Sequence, residues 1–389
     1  MVSGAVVVDA HIRSAVAGLR GLGRAGIRPI ALGPSWNAAG RWSRYAGGRA
    51  LAPDPKADAA GFARALAALA QARGPLVAFP GREESIDGIL AAAEIDANVV
   101  APFPRDAVER IRRKSELDGL AAASGLRVPA TVEEGTAGEL LGSGVELPCA
   151  IKPVVSTGAL PTTKVVETPE QVRALLSPLP PDERLIVQPL IRSALTSLGL
   201  VVSRDGRLVA RFQHMATRTW PRAAGSTASA VSVRPDEELA ARAAGMLAAA
   251  GYWGIVEMEF LDDGDGPTLI DVNPRYYGCM ALPLRCGVNL PAAWHAVVTG
   301  GALPEPQPYP AGVRYRWLEA DFVGALRGAP GLLARRPSRP GTGAMWASDD
   351  PLAGPLLAAT ALAGRLRRRA TLGGARDTLL APGETAPAG

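Results

Sequence analysis

Two short segments late in the chain decide its fold: residues 256–261 read Val-Glu-Met-Glu-Phe-Leu, and residues 269–275 read Leu-Ile-Asp-Val-Asn-Pro-Arg. Polar residues alternate with large apolar ones in both segments, which is typical of β-strands. The intervening residues 262–267, Asp-Asp-Gly-Asp-Gly-Pro, are rich in turn formers. The pattern therefore predicts a hairpin that brings the two strands side by side.

The acidic residues of this hairpin are spaced to share a ligand. Side chains alternate between the two faces of a strand, so Glu257 and Glu259 share one face, as do Asp271 and Asn273. Strand pairing can place Glu259, Asp271 and the Asn273 amide oxygen around one point, with Arg275 just beyond. Three such oxygens suit Mg²⁺, which completes its shell with water and phosphates. The alternative is a solvent-facing hairpin, but apolar residues flank each acid, and a buried carboxylate needs a cation or another partner.

Composition places the chain among ordinary globular proteins. Its 389 residues predict two or three domains, and 48% hydrophobic with 20% charged residues excludes wholesale disorder. Three cysteines and three histidines without paired metal spacing exclude a zinc or disulfide framework. No apolar run approaches about 18 residues and the start lacks signal-peptide features, so we expect a cytoplasmic protein with no membrane partner. The net charge of +5 is scattered, which gives nucleic acid binding little support.

The first 102 residues alternate short apolar strands with helices. Residues 4–9 and 27–32 predict two strands with a helix between them, so residues 1–102 are expected to form a small parallel α/β domain. Residues 21–26, Gly-Leu-Gly-Arg-Ala-Gly, match the dinucleotide-binding pattern of an NAD-dependent oxidoreductase. They stand where the helix should end, whereas that pattern works between a strand and a helix N-terminus. We therefore interpret them as helix-end and turn glycines.

Later elements are shorter and include antiparallel strands. A helix is expected from Asp106 through Lys114, strands at residues 149–153 and 184–191, and a hairpin with Asp-Gly at its centre over residues 198–216.

Lysine is scarce in this chain. Of 42 basic residues only four are lysines, Lys56, Lys114, Lys152 and Lys164. Where arginine is used almost everywhere, a remaining lysine suggests a position that needs a compact ammonium group.

The hairpin motif from Glu259 to Arg275 resembles the ATP-grasp superfamily, in its carboxylate–amine ligase branch related to biotin carboxylase and carbamoyl phosphate synthetase. The resemblance extends to Lys114 and to residues 151–153, where ATP-grasp enzymes have two nucleotide-binding lysines. Residues 187–191 stand where the adenine-hinge strand of the family lies. The resemblance covers about residues 1–300, and two of the four lysines fall on its motifs.

The resemblance implies ATP and Mg²⁺ (or Mn²⁺) as cofactors and a role for each of nine residues. The implied roles are nucleotide binding by Lys114, Lys152, Gln188 and Ile191, metal binding by Glu259, Asp271 and Asn273, and assistance to the reaction by Arg275 and Arg218. Arg275 would steady an acyl phosphate or a carboxylate. Arg218, with Arg222, precedes a Gly-Ser loop where the family often has an arginine near the phosphates.

Three features depart from the family pattern. Gln188 replaces the usual hinge glutamate, Asp271 replaces the commoner glutamate, and the phosphate loop, residues 154–163, has one glycine instead of several. For His11, Cys279 and Cys286 we favour structural roles.

The sequence thus predicts an α/β and α+β multidomain protein with the ATP-grasp fold. The expected domains are an N-terminal parallel α/β (pre-ATP-grasp) domain over 1–102, a lid and nucleotide-binding subdomain over 103–193, a catalytic subdomain over 194–302, and an appendage with a tail over 303–389. The tail from about Ala370 is expected to fray.

The resemblance implies ATP-dependent ligation of a small-molecule carboxylate to an amine through an acyl phosphate, with release of ADP and phosphate. A homodimer contact or a cover over the site is a possible role for the appendage. The first alternative function is a non-catalytic ATP-binding regulatory module. The second alternative is an NAD-dependent oxidoreductase, and its only support is the misplaced glycine motif.

Overall fold

The computed structural model describes residues 4–160, 162–220, 225–262, 264–326 and 341–360. Arg222 and the expected tail after Ala370 lie outside the described residues. None of the helices in the described part of the chain has the length and hydrophobicity that crossing a membrane requires.

The N-terminal layer is a five-stranded parallel sheet in the order β3-β2-β1-β4-β5. Its elements are β1 (Gly4–Val7), α1 (Arg13–Arg24), β2 (Ile30–Gly33), β3 (Gly48–Leu51), α2 (Ala59–Arg73), β4 (Leu76–Phe79), α3 (Glu83–Ile95) and β5 (Val99–Val100). The expected parallel α/β arrangement is confirmed, and β3 is an additional strand that the sequence pattern did not predict. β3 lies at the sheet edge with a half-exposed surface, so it lacks the apolar run of a buried strand.

The glycines of residues 21–26 lie at the end of α1 and in the turn after it, as interpreted from their position. A Cβ on Gly21 would approach Pro291 to 2.7 Å, and a Cβ on Gly23 would approach Tyr45 to 2.3 Å. Gly26 has φ of +82°, which favours glycine. Close packing and a turn therefore account for these glycines, and a dinucleotide-binding role is not needed to explain them.

A four-stranded antiparallel sheet follows, which we call the lid sheet, in the order β6-β9-β7-β8. Its region contains α4 (Arg105–Arg112), α5 (Leu117–Ala122), β6 (Glu133–Thr136), α6 (Ala137–Ser143), β7 (Cys149–Pro153), β8 (Lys164–Val166), α7 (Pro169–Leu176) and β9 (Arg184–Pro189). The expectation that one helix continues through Lys114 is wrong. The helix ends at Arg112, because the Lys114 backbone N–H donates to the Val154 carbonyl of the lid sheet region at 3.0 Å.

A seven-stranded sheet carries the hairpin, in the order β14-β13-β10-β11-β12-β15-β16, and we call it the catalytic sheet. Its region contains β10 (Thr196–Val202), β11 (Leu208–Trp220), β12 (Ser226–Ser232), α8 (Glu237–Ala249), β13 (Gly254–Asp262), β14 (Pro267–Asn273), α9 (Ala281–Arg285), α10 (Leu290–Thr299), β15 (Arg314–Arg316), α11 (Leu318–Leu326) and β16 (Gly341–Gly343). Both β15 and β16 follow residue 302, so the expected appendage extends the catalytic sheet at its β12 edge.

The N-terminal layer and the catalytic sheet share one hydrophobic core. Leu19 and Leu22 of α1 belong to the same buried cluster as Met258 and Phe260 of β13, and Trp294 of α10 lies among them. The lid sheet has a separate small core. Because a shared core resists relative movement more than a separate one, the hairpin is positioned firmly against the N-terminal layer.

The end of the described chain is fastened to the N-terminal layer by Asp350. Its carboxylate accepts hydrogen bonds from Arg20 Nε at 2.8 Å, Ser43 Oγ at 2.9 Å and the Arg44 backbone N–H at 3.0 Å. Arg20 and Asp350 are 3% and 1% exposed. A buried pair of this kind is costly to break, because the remaining charge then lacks a partner.

We predict that Asp350→Asn lowers the free energy of unfolding by about 2–4 kcal/mol, since the Arg20 guanidinium stays buried without its counter-ion. Chemical denaturation monitored by circular dichroism measures the loss. The neighbouring Asp349, whose side chain is 38% exposed and pairs with Arg24, is the matched control. Asp349→Asn should cost about 1 kcal/mol or less, and equal losses in the two variants would contradict the assignment.

Candidate active site

The hairpin that the sequence predicted is formed by β13 and β14. Glu259 pairs with Asp271, and Glu257 pairs with Asn273, so all four side chains project from the same face of the sheet. The register shifts after Glu259, where Phe260 pairs with Leu269 and leaves Ile270 as an extra residue. This β-bulge frees the Ile270 carbonyl from the strand ladder.

Two lysines reach the hairpin from the lid region. Lys114 Nζ lies 2.9 Å from Asp271 Oδ1 and donates to Ser156 Oγ at 3.1 Å. Lys152, on β7, donates to the carbonyl of Ile270 at 3.3 Å. Both lysines are buried. The hairpin therefore brings two carboxylates and two ammonium groups together, and Lys114 and Lys152 are two of the nine residues singled out in the sequence.

Burial raises the pKa values of the hairpin glutamates and lowers the pKa of Lys152. Burial, together with repulsion from Asp271, raises the pKa of Glu259 to about 7. Burial also lowers the pKa of Lys152 to about 8, although attraction to Asp271 opposes this shift. Burial and the nearby Glu259 raise the pKa of Glu257 well above its ordinary value. Each pKa shift favours the uncharged form of its group, because the buried site solvates the charged form poorly.

The donor set fits a small divalent cation. Glu259 and Asp271 occupy directly opposed positions, and the raised pKa of Glu259 indicates that another positive charge would favour its ionised form. Among the described residues, no group of three or more His, Cys, Asp and Glu side chains is arranged to hold a metal ion. A site here would therefore use two carboxylates, an amide and oxygens from outside the protein, which suits Mg²⁺ better than Zn²⁺.

Asn273 and Arg275 are engaged with the N-terminal layer. Arg275 Nη2 donates to Asn273 Oδ1 at 2.8 Å, and Arg275 Nε donates to Glu83 Oε1 at 2.9 Å. The other Glu83 oxygen accepts from Arg112 Nε at 2.8 Å. Glu83 thus links the hairpin to α3 and α4, and it orients the guanidinium of Arg275 beside the predicted metal site.

Glu83 was not identified from the sequence. It directly follows Arg82 at the start of α3, shortly after β4. In an open α/β sheet, functional side chains lie at the carboxyl ends of the parallel strands. The position of Glu83 shortly after β4 was therefore the sequence feature that could have identified it.

Arg218 lies in β11 of the catalytic sheet. Its guanidinium pairs with Asp321 of α11, which also binds Arg316 of β15. Asp321 is buried, with 2% of its side chain exposed. The expected assistance of Arg218 to the reaction stays a prediction, and the contact seen here joins β11 to the segment after residue 302.

Gln188 and Ile191 lie at the end of β9 or beyond it. Gln188 is buried and donates through Nε2 to the Pro129 carbonyl at 3.2 Å, while its Oε1 has no hydrogen-bond partner among the described residues. An unpartnered buried oxygen can accept a hydrogen bond from a ligand. The nucleotide contacts of both residues stay predictions.

Two further polar side chains continue the row of hairpin acids across the sheet. Ser197 of β10 pairs with Glu259 on one side and with His214 of β11 on the other. Ser197 Oγ and both ring nitrogens of His214 are buried without a hydrogen-bond partner among the described residues. Burial lowers the pKa of His214 to about 4, so the imidazole is neutral at pH 7.

Comparison with known proteins identifies the fold. A sequence profile of the family described as ATP-grasp in the biosynthetic pathway with Ter operon matches residues 182–321, just over a third of the chain. No curated protein matches the sequence.

Solved structures extend the similarity to most of the chain. Biotin carboxylase from Campylobacter jejuni is 17% identical with a TM-score of 0.62, covering 80% of this chain and 74% of that chain. N5-carboxyaminoimidazole ribonucleotide synthetase from Thermus thermophilus is 17% identical with a TM-score of 0.58, covering 79% and 81%. The biotin carboxylase domain of the Hydrogenobacter thermophilus 2-oxoglutarate carboxylase is 13% identical with a TM-score of 0.60, covering 79% and 72%.

These matches show the ATP-grasp fold with its N-terminal parallel α/β domain. The resemblance to the ATP-grasp superfamily, which was carried by residues 259–275, is confirmed, since the family profile includes the hairpin and the structural neighbours share the architecture.

We predict that Glu259→Gln stabilises the protein in the absence of metal and nucleotide. A raised carboxyl pKa means that folding favours the protonated form, so the native state loses stability as pH rises from about 4.3, the ordinary pKa, to about 7. Glutamine removes that loss. At pH 8 the free energy of unfolding should therefore be about 1–2 kcal/mol higher than that of the parent, which raises the midpoint of thermal unfolding. At pH 4 the two proteins should not differ.

The matched control is Glu94→Gln, since the Glu94 side chain is 67% exposed and pairs with Arg105 on the surface. It should change stability little at either pH. A Glu259→Gln protein that is less stable than the parent at pH 8 would contradict the unfavourable burial of this carboxylate.

Proposed function

We propose that the protein is an ATP-dependent ligase that joins a carboxylate to an amine through an acyl phosphate. One observation carries the proposal: Lys114 and Lys152 from the lid region meet Glu259 and Asp271 on the hairpin, at distances that bring positive and negative groups into one small site. Phosphoryl transfer to a carboxylate requires charge neutralisation and alignment, which such a set supplies, and no nucleophilic side chain.

Lys114 and Lys152 would bind the nucleotide phosphates. Both side chains are buried, and their ammonium groups contact protein oxygens at the hairpin and in the phosphate loop, so phosphate oxygens can replace these contacts. The lowered pKa of Lys152 indicates an ammonium that gains from a nearby anion. Gln188 and Ile191 would contact the base or ribose from β9 and the residues after it.

Glu259, Asp271 and Asn273 would hold Mg²⁺ or Mn²⁺. When bound, the ion neutralises charge on the β- and γ-phosphates and aligns them for transfer. Asn273 Oδ1 already accepts a hydrogen bond from Arg275, and its second lone pair remains for a metal. The Hydrogenobacter neighbour was crystallised with MgADP and bicarbonate, which supports a nucleotide with a divalent metal in this fold.

The reaction would proceed in two displacements. A substrate carboxylate oxygen bonds to the γ-phosphorus while the bond to ADP breaks. The nitrogen of the neutral amine then bonds to the acyl carbon, the bond from that carbon to the phosphate oxygen breaks, and the departing phosphate takes up the proton that the amine loses. Arg275 is held by Glu83 with its guanidinium beside the metal ligands, where it would steady the acyl phosphate. The substrates would be small molecules, and a homodimer in the cytoplasm is the expected setting.

A non-catalytic ATP-binding module with the same fold is the second candidate. A module that senses ATP needs nucleotide contacts but no acceptor-dependent turnover. Release of ADP that depends on both a carboxylate and an amine separates the ligase from the module.

We predict that Lys152→Met abolishes ADP release in an assay with ATP, Mg²⁺ and a panel of amino acids, lowering the rate at least about 100-fold, because a buried phosphate-binding charge is lost. Lys56→Met is the matched control, since Lys56 is 55% exposed and pairs with Glu84 on the surface. It should retain the parent rate. Coupled detection of ADP measures both.

Binding measurements complete the test. Isothermal titration with a non-hydrolysable ATP analogue should show weakened binding for Lys152→Met and no requirement for NAD. If ATP binds with Mg²⁺ but no amine and carboxylate pair accelerates ADP release, the regulatory module is favoured. If Lys152→Met binds and turns over ATP like the parent, the proposed site is wrong.

A further inference from the structure

One partly exposed arginine of the N-terminal layer has no acidic partner among the described residues. Arg13 is the first residue of α1, which follows the carboxyl end of β1. Its guanidinium makes a hydrogen bond to a carbonyl and stacks on an aromatic ring, and neither contact supplies a negative charge. Arg275 and Arg112, by contrast, both pair with Glu83. Arg13 therefore leaves one positive charge without a counter-ion.

The guanidinium of Arg13 is nevertheless held in one orientation. Its Nε donates to the Gly278 carbonyl at 3.2 Å, and its central carbon lies 3.6 Å from the centre of the Trp317 ring. Tyr315 Oη donates to the same carbonyl at 2.9 Å. Stacking fixes the guanidinium plane, and in the described part of the chain no acceptor occupies the edge formed by Nη1 and Nη2. The two N–H donors of such an edge match a carboxylate.

The lack of a side chain at Gly278 makes room for this arginine. A Cβ at residue 278 would come within 2.5 Å of Arg13 Nη2, which is closer than van der Waals contact permits. The φ angle of Gly278 is not positive, so the backbone conformation itself would accept an alanine. Close packing against Arg13 is therefore the reason that glycine is suited to this position.

A buried carboxyl without a partner lies within electrostatic range of Arg13. Glu257 of β13 is 7% exposed, and no described residue forms a hydrogen bond or an ion pair with its carboxyl group. Burial, followed by repulsion from Glu259, raises the pKa of Glu257, and attraction from Arg275 and Arg13 opposes this shift. Both guanidinium groups are therefore near the same carboxyl. A buried polar group that lacks a protein partner indicates a place for a ligand.

The two guanidinium groups are fixed to one short segment. Arg275 Nη1 donates to the Tyr276 carbonyl at 3.2 Å, and Arg13 binds the carbonyl of Gly278, two residues further on. Two residues of extended chain span about 7 Å, so the two carbonyls are no more than about that far apart. Since the acyl phosphate is proposed to bind at Arg275, Arg13 is within the reach of a small substrate at the same site.

The charges along this segment match the groups of an amino acid. An amine that attacks the acyl carbon has its nitrogen near Arg275. If the amine is an α-amino acid, its carboxylate is attached one carbon beyond that nitrogen. This carboxylate can reach the uncompensated charge of Arg13, while the amino group stays on the side of Glu257, which attracts cations.

We propose that Arg13 binds the carboxylate of an α-amino acid, and that this amino acid is the amine substrate of the ligase. The Nη1 and Nη2 edge donates two hydrogen bonds to the carboxylate, and the amino group lies beside Glu257. Trp317 orients the guanidinium, which gives the segment after residue 302 a part in the substrate site. The inference rests on the proposed ligase function, of which it names one substrate class and its anchoring residue.

Indole signals in nuclear magnetic resonance spectra test the proposal without nucleotide or metal. The chain has seven tryptophans, and the Trp317 signal is assigned from its loss in Trp317→Phe. L-alanine up to about 100 mM should shift this signal in a saturable manner, since isolated head groups bind with millimolar affinity. L-alaninamide, which lacks the carboxylate, should give no saturable shift. Propionate, which lacks the amino group, should need a higher concentration than L-alanine.

Four variants locate the binding. Arg13→Met should raise the half-saturating concentration of L-alanine at least about tenfold, because a charged donor pair is lost. Gly278→Ala should raise it as well, since the added methyl group displaces Arg13 Nη2 while the charge remains. Glu257→Gln should weaken the response to L-alanine but not the response to propionate. Arg173→Met is the matched control, since Arg173 is 62% exposed and pairs with Glu170 in the lid region, and it should respond like the parent.

The outcomes separate this proposal from the ligase itself. The amino acid site is overturned by an absent response to L-alanine, by an equal response to L-alaninamide or propionate, or by parent-like responses in both Arg13→Met and Gly278→Ala. Circular dichroism shows whether each variant is folded, and Gly278→Ala decides the matter if Arg13→Met is not. Binding of the ATP analogue with Mg²⁺ is measured on the same samples. If that binding depends on Lys152 while L-alanine has no effect on Trp317, the amino acid site fails and the nucleotide site stands.

Discussion

The structure depends on holding Glu259 and Asp271 opposite each other on paired strands. Two buried carboxylates at this spacing repel, and the opposing charge comes from Lys114 and Lys152, which belong to a different part of the chain. The lid region and the catalytic sheet are therefore joined by electrostatic attraction as well as by packing. If the proposed function holds, nucleotide phosphates and a divalent cation would compete for these same groups, and their binding would change the attraction between the lid region and the catalytic sheet.

Arg275 connects this cluster to the N-terminal layer. It binds Asn273 on the hairpin and Glu83 at the start of α3, and Glu83 also binds Arg112. Displacement of α3 would disturb the guanidinium and the Asn273 amide together. The N-terminal layer thus contributes to the geometry of a site whose acids all lie on the catalytic sheet.

The sequence predicted what depends on local pattern and missed what depends on tertiary contact. Strand alternation and the turn residues between 262 and 267 predicted that the two segments pair as a hairpin, because both properties are encoded within twenty residues. The bulge at Ile270 was not predictable, since it shifts the register without changing the apolar pattern. Lys114 was expected on a helix, but a hydrogen bond to Val154 ends that helix first. The pairing of Arg218 with Asp321 spans 103 residues, and no local signal indicates it.

The fastening of Asp350 to Arg20 has a consequence for how the chain is made. The two residues are 330 positions apart, so a ribosome that adds 5–20 residues per second needs roughly 15–65 s to supply the second after the first. During that interval the face of α1 around Arg20 emerges without its acidic partner, and its basic groups stay hydrated or bind something else. The first layer to be synthesised is therefore among the last to be completed.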